Sequence, residues 1–122
     1  MFKSDLESKI KNIATVFFND QMGIYPTFDG VKIWEDMCIV KTMNALAPAE
    51  NSFVGDFMFI KQVIIKLFDE VMPILKKKIK NTTGTETSSI DFFIGNNNVQ
   101  FLNITFRENV ENNLCLEGEK GC

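Results

Sequence analysis

Apolar side chains return every three or four residues between Lys3 and Asn19: Leu6, Ile10, Ile13 and Phe17 share one side of a helical turn, while Lys3, Glu7, Lys9 and Lys11 fall elsewhere. This spacing predicts an amphipathic helix. Ser4 or Ser8 is its expected N-cap, and Gly23 with Pro26 its expected stop, because proline biases the residue before it away from helical dihedrals. From Thr27 to Met43 the period drops to two. Val31, Ile33 and Glu35 alternate with Lys32 and Trp34, and after the polar Glu35-Asp36 step Ile39 alternates with Cys38 and Val40, which predicts two antiparallel strands joined by a tight turn. Asn44 to Gly55 contains Pro48 and several small or polar residues, so a loop is expected there, crossing a sheet edge with Phe53 tethering its far end.

The helical period resumes from residue 55 or 56 to about residue 80. Phe57, Ile60, Ile64, Leu67, Phe68, Val71, Leu75 and Ile79 form a stripe broad enough to lie on a sheet. Pro73 lacks an amide donor and crowds the preceding turn, so a kink or restart is expected around Val71 to Pro73. Lys76, Lys77, Lys78 and Lys80 crowd the end of the segment, where positive charge complements the negative pole of the helix dipole. Beyond Gly84, Ile90, Phe92 and Ile94 alternate with Asp91 and Phe93, and Val99, Phe101, Asn103 and Thr105 alternate with Leu102, Ile104 and Phe106. Gly95-Asn96-Asn97-Asn98 between them tolerates positive φ, which predicts a hairpin.

The order helix, strand, strand, helix, strand, strand predicts an α+β fold: one four-stranded antiparallel sheet with two helices on one face. The expected organisation is a single domain over residues 1–106, followed by an acidic tail or short helix over residues 107–122. Two helices on one face leave the other uncovered. The second hairpin carries apolar groups in both phases of its alternation, and Phe93, Leu102, Ile104 and Phe106 are assigned to the uncovered side. An exposed apolar sheet face marks a partner surface, and a homodimer is the expected occupant.

Composition narrows the function classes. With 45% apolar and 24% charged residues, the 122-residue chain has the balance of a globular domain with a real core. No apolar run approaches the roughly 20 residues that span a bilayer, and the N-terminus is charged and amphipathic, so a chain that neither spans a membrane nor is exported is expected. A formal charge of −3 argues against nucleic acid as a partner. Cys38, Cys115 and Cys122 make an odd set without close pairing, which fits a reducing cytoplasm better than a disulfide scaffold.

Candidate chemistry is sparse. The chain has no histidine, which removes the commonest general base, the commonest metal ligand and any Ser-His or Cys-His nucleophile pair. Asp69 and Glu70 adjoin on a helix and point apart, so they are read as solvated charges; the glycines stand singly at element boundaries, without a phosphate loop or dinucleotide fingerprint. Cys38 is read as a small buried apolar residue, with a thiol enzyme as the competing reading. The lysine run Lys76 to Lys80 is read as helix-end charge, with an anionic surface as the competing partner. No enzyme, cofactor or metal site is expected.

Four segments together resemble one family. Gly23 to Pro26 is a turn after the first helix, and Glu35-Asp36-Met37-Cys38-Ile39-Val40 opens a strand. Leu46-Ala47-Pro48-Ala49-Glu50 is a loop, and Pro73-Ile74-Leu75 through Ile79 to Gly84 ends a helix. Over residues 5–106 this combination is similar to the MpsC-like family, small bacterial domains associated with a sodium-translocating, membrane-potential-generating system. Ala47 stands where the family has threonine, and residues 53–59 are more aromatic than its pattern.

The resemblance implies a non-enzymatic accessory or regulatory protein in the cytoplasm, serving an ion or inorganic-carbon transport system at the membrane. It carries no catalytic or ligand residue with it. The loop residues Leu46, Pro48 and Glu50 are the candidate interaction loop, with a purely structural role for Glu50 at a helix N-terminus as the competing reading. A small-molecule sensor is the alternative function, using a pocket between sheet and helices lined by Phe57, Phe68 and Phe101.

Overall fold

A computed structural model describes residues 2–45, 54–95 and 97–114, with residues 54–57 described by their backbone alone. Its elements run α1 (Lys3–Phe17), a π-helical turn (Phe18–Met22), β1 (Thr27–Trp34), β2 (Met37–Met43), α2 (Val54–Thr83), β3 (Thr87–Ile94), β4 (Val99–Phe106) and a short 3-10 turn (Glu111–Asn113). The four strands form one antiparallel sheet in the order β1-β2-β4-β3. The chain is therefore α+β with the expected element order, and β4 inserts between β2 and the edge strand β3.

α1 buries Leu6, Ile10, Ala14 and Phe17, the stripe its spacing predicts. Its start differs from expectation. Phe2 is the N-cap residue and no side chain caps the helix, so Ser4 and Ser8 lie inside it. At the other end the widened π turn adds a residue to the ring of hydrogen bonds, and Phe17 and Phe18, adjacent in sequence, are both fully buried. Gly23 then ends the helix at φ +65°, a left-handed conformation that favours glycine.

α2 runs unbroken for 30 residues through Pro73, so the expected restart does not occur. Pro73 is on the exposed side of the helix, as is Asp69, whose carbonyl loses its helical donor there. The helix continues to Thr83, past the lysine run, and stops at Gly84, which at φ +75° donates its amide to the Lys80 carbonyl at 2.8 Å. Thr83 Oγ1 also donates to the Ile79 carbonyl at 2.7 Å.

The core lies between the helices and one face of the sheet. Ile33 of β1, Cys38 and Val40 of β2, Leu102, Ile104 and Phe106 of β4, and Ile90, Phe92 and Ile94 of β3 all point into it. Aromatic rings stitch the layers together. Phe68 of α2 stacks on Phe92 at 5.0 Å and meets Phe17 edge-on at 6.0 Å, while Phe18 packs on Phe92 at 5.5 Å. At one end of the core, buried Gln100 accepts from Thr42 Oγ1 at 3.0 Å and donates to Asn98 Oδ1 at 2.9 Å, which satisfies its amide inside the sheet.

Residues 107–114 fold back onto the domain. Val110 is buried with the core, and Leu114 packs against it. Glu111 pairs with Lys3 at 2.7 Å, and its other oxygen accepts from the Glu35 amide at 3.3 Å. The Lys3 hydrogen bond, then that of Glu35, hold the Glu111 carboxyl below its usual range. Glu35 sits at φ +55° in the β1–β2 turn, and its carbonyl accepts from the Glu111 amide at 3.1 Å.

Candidate functional site: the open face of the sheet

Strand alternation sends every second side chain away from the helices. Register places these outward residues in rows across β1, β2, β4 and β3. The central row is Lys32, Ile39, Asn103 and Asp91. On one side of it lie Gly30, Lys41, Phe101 and Phe93, and on the other Trp34, Met37, Thr105 and Ser89. Among the described residues nothing covers this face. Trp34 is 66% exposed beside Met37 at 36%, and at the opposite corner Phe93 is 52% exposed beside Phe101 at 37%, two pairs of large apolar groups held in contact with water.

Phe93 is thus on the free side as expected, but Leu102, Ile104 and Phe106 are not: each is at most 2% exposed and packs beneath the helices. The hairpin decides this. Gly95 donates to the Val99 carbonyl at 2.7 Å and Ile94 lies opposite Gln100, so partners across the hairpin are both odd or both even in number. Phe93 must then face outward beside Phe101, and Phe92 inward beside Leu102. Trp34, Met37 and Phe101 are the outward residues that sequence reasoning missed. The opposite phase of Trp34 to Val31 and Ile33 was the available signal.

The same register separates the residues of the expected ligand pocket. Phe68 is 2% exposed within the core and Phe101 stands on the far side of the sheet, so they cannot line one cavity. The side chain of Phe57 and the loop residues Leu46, Pro48 and Glu50 lie outside the described residues, as do Cys115 and Cys122.

Other surfaces are smaller. A groove of about 270 Å³ runs between α1 and β1, with Glu7, Lys11 and Asp29 on its walls. Glu7 accepts there from the Ile33 amide at 3.0 Å, on the free edge of the sheet. A second cavity of about 320 Å³ is bordered by Lys76, Lys77 and Lys80 with Glu86, whose carboxyl is held low chiefly by its hydrogen bond to Lys80. Exposed apolar side chains also occur on the N-terminal half of α2, at Met58, Phe59 and Val63. Among the described residues no group of three potential ligands gathers for a metal ion, and no helix is long and apolar enough to cross a membrane.

Cys38 has the chemistry of a buried apolar group. It is fully buried in β2, and burial, helped by the nearby Glu7 charge, pushes its thiol up to about 12. At neutral pH the thiolate that would act as nucleophile is scarce. In a chain carrying Cys115→Ser and Cys122→Ser, iodoacetamide at neutral pH is expected to label Cys38 only as fast as the protein opens. Labelling as fast in the native protein as in urea would contradict this placement.

Two helices layered on one side of a four-stranded antiparallel sheet, whose other face is uncovered among the described residues, define an α+β domain. The chain belongs to the MpsC family, whose model, described as "Na+-translocating membrane potential-generating system (MpsC)", matches residues 2–96. Comparison with curated proteins and with solved structures finds no match for this chain.

Proposed function

We propose that the chain is a non-enzymatic accessory or regulatory component of a Na+-translocating, membrane-potential-generating system. In this reading it works in the cytoplasm as a homodimer, and the dimer serves the ion or inorganic-carbon transport machinery at the membrane. The family description supports the link to that system. One structural observation carries the mode of action: the open sheet face, where Trp34 with Met37 at one corner and Phe93 with Phe101 at the opposite corner stand exposed. Burying such a face returns roughly 25 cal/mol for each Å² of apolar surface removed from water, which favours association over isolation.

Two measurements test this reading. Light scattering at micromolar concentration is expected to give about twice the 13.9 kDa chain mass, and a persistent monomer would overturn the dimer. In the native host, removing the chain is expected to lower the sodium-dependent part of the membrane potential, with recovery on re-expression. An unchanged potential would overturn the accessory role.

A further inference from the structure

We propose that a second copy of this chain covers the open face through a two-fold axis parallel to the strands and running between β2 and β4, which sets Lys32 of each copy against Asp91 of the other. This deepens the docking role proposed above and rests on it.

Charge placement leads to this axis. The face and its β1 margin carry four charged side chains: Lys32, Lys41, Asp29 and Asp91. Lys41 and Asp29 neutralise one another at 3.0 Å. Lys32 and Asp91 lie in the same row on opposite edge strands, three strand spacings or roughly 14 Å apart. Both are exposed, and neither joins an ion pair among the described residues. The face is therefore a dipole running from one edge to the other, with a net charge of zero.

Two sheets can meet face to face about a two-fold axis lying in the plane between them. An axis across the strands would set each edge on itself, bringing Lys32 against Lys32 and Asp91 against Asp91. An axis along the strands exchanges the edges and brings unlike charges together twice. Electrostatics selects the second.

Shape agrees with charge. The same rotation sets Phe93, 52% exposed, opposite Gly30, where nothing lies within 4 Å of the position a Cβ would take. It sets Trp34, 66% exposed, opposite Ser89, and Lys41 opposite Phe101. At the edge strands a large group meets a small one in both outer rows, which suits two sheets packed about 10 Å apart. The usual relative rotation of about 30° between aligned sheets moves an edge residue by roughly 4 Å, within reach of a lysine side chain.

Charge reversal with rescue by mixing tests the axis. Lys32→Asp alone and Asp91→Lys alone are each expected to weaken the dimer at least tenfold in sedimentation equilibrium, with circular dichroism and melting temperature close to the parent. Mixed in equal amounts, the two variants are expected to recover the dimer, since each copy of the pair then offers the charge its partner needs. The double variant is expected to recover it as well. Rescue by mixing also excludes misfolding as the cause of the loss. A dimer that survives both single reversals overturns the axis, as does a mixture that stays monomeric. Loss of the dimer on Phe59→Asp with indifference to both reversals would place the interface on α2 instead and leave the docking role standing. A parent chain that never dimerises overturns the homodimer itself.

Discussion

Phe68→Ala is expected to lower the unfolding free energy by about 3–5 kcal/mol, the usual loss when a buried phenylalanine is truncated. Its ring is 2% exposed, stacked on Phe92 at 5.0 Å and edge-on to Phe17 at 6.0 Å, so it bonds α2 to both the sheet and α1. Phe17 and Phe92 are each held by Phe18 as well, at 5.9 and 5.5 Å, which restrains them from moving into the space. Domains have about 5–15 kcal/mol to lose, so the change takes a large share of that margin. Urea denaturation measures the change. A loss under about 1 kcal/mol would mean that the three elements do not meet at this ring.

Leu102→Asp and Phe101→Asp, one residue apart, are expected to give opposite results. Leu102 is 1% exposed under the helices, where an unpaired carboxylate costs several kcal/mol on top of the lost packing, so that chain is expected not to fold. Phe101 is 37% exposed on the open face, so the same charge there is expected to change monomer stability by no more than about 1 kcal/mol. It is expected to abolish the dimer instead. Circular dichroism and light scattering on both variants separate the outcomes. If Phe101→Asp unfolds the chain and Leu102→Asp spares it, the faces of β4 are assigned the wrong way round.

That pair marks the point at which the residue pattern stopped being informative. In β1 the alternation is clean, Val31 and Ile33 against Lys32, so inward and outward are legible from polarity. In the second hairpin Phe92 and Phe93 adjoin, as do Phe101 and Leu102, and both phases are apolar. Polarity cannot rank them. Only the pairing of Ile94 with Gln100 ties Phe93 to Phe101, and that pairing depends on the length and conformation of the connecting turn. Each strand taken alone allows Phe93 to side with Leu102, Ile104 and Phe106, and the pairing separates them.

Helix ends show a related division. Gly23 was legible as a stop because left-handed backbone favours glycine, and it takes that conformation, as Gly84 does at the end of α2. The start of α1 was not. Ser4 and Ser8 have the chemistry of a cap, yet the helix already begins at Lys3, and Lys3 is held from far along the chain by Glu111. A partner 108 residues away leaves no local trace.

Local periodicity and turn chemistry therefore determined the element order and the α+β class, because each depends on neighbours within one helix turn or one hairpin. Tertiary structure alone decided which residues occupy that face, and that Lys32 and Asp91 share a row at its two edges. Register and strand order bring together residues far apart in sequence, and no local pattern records them.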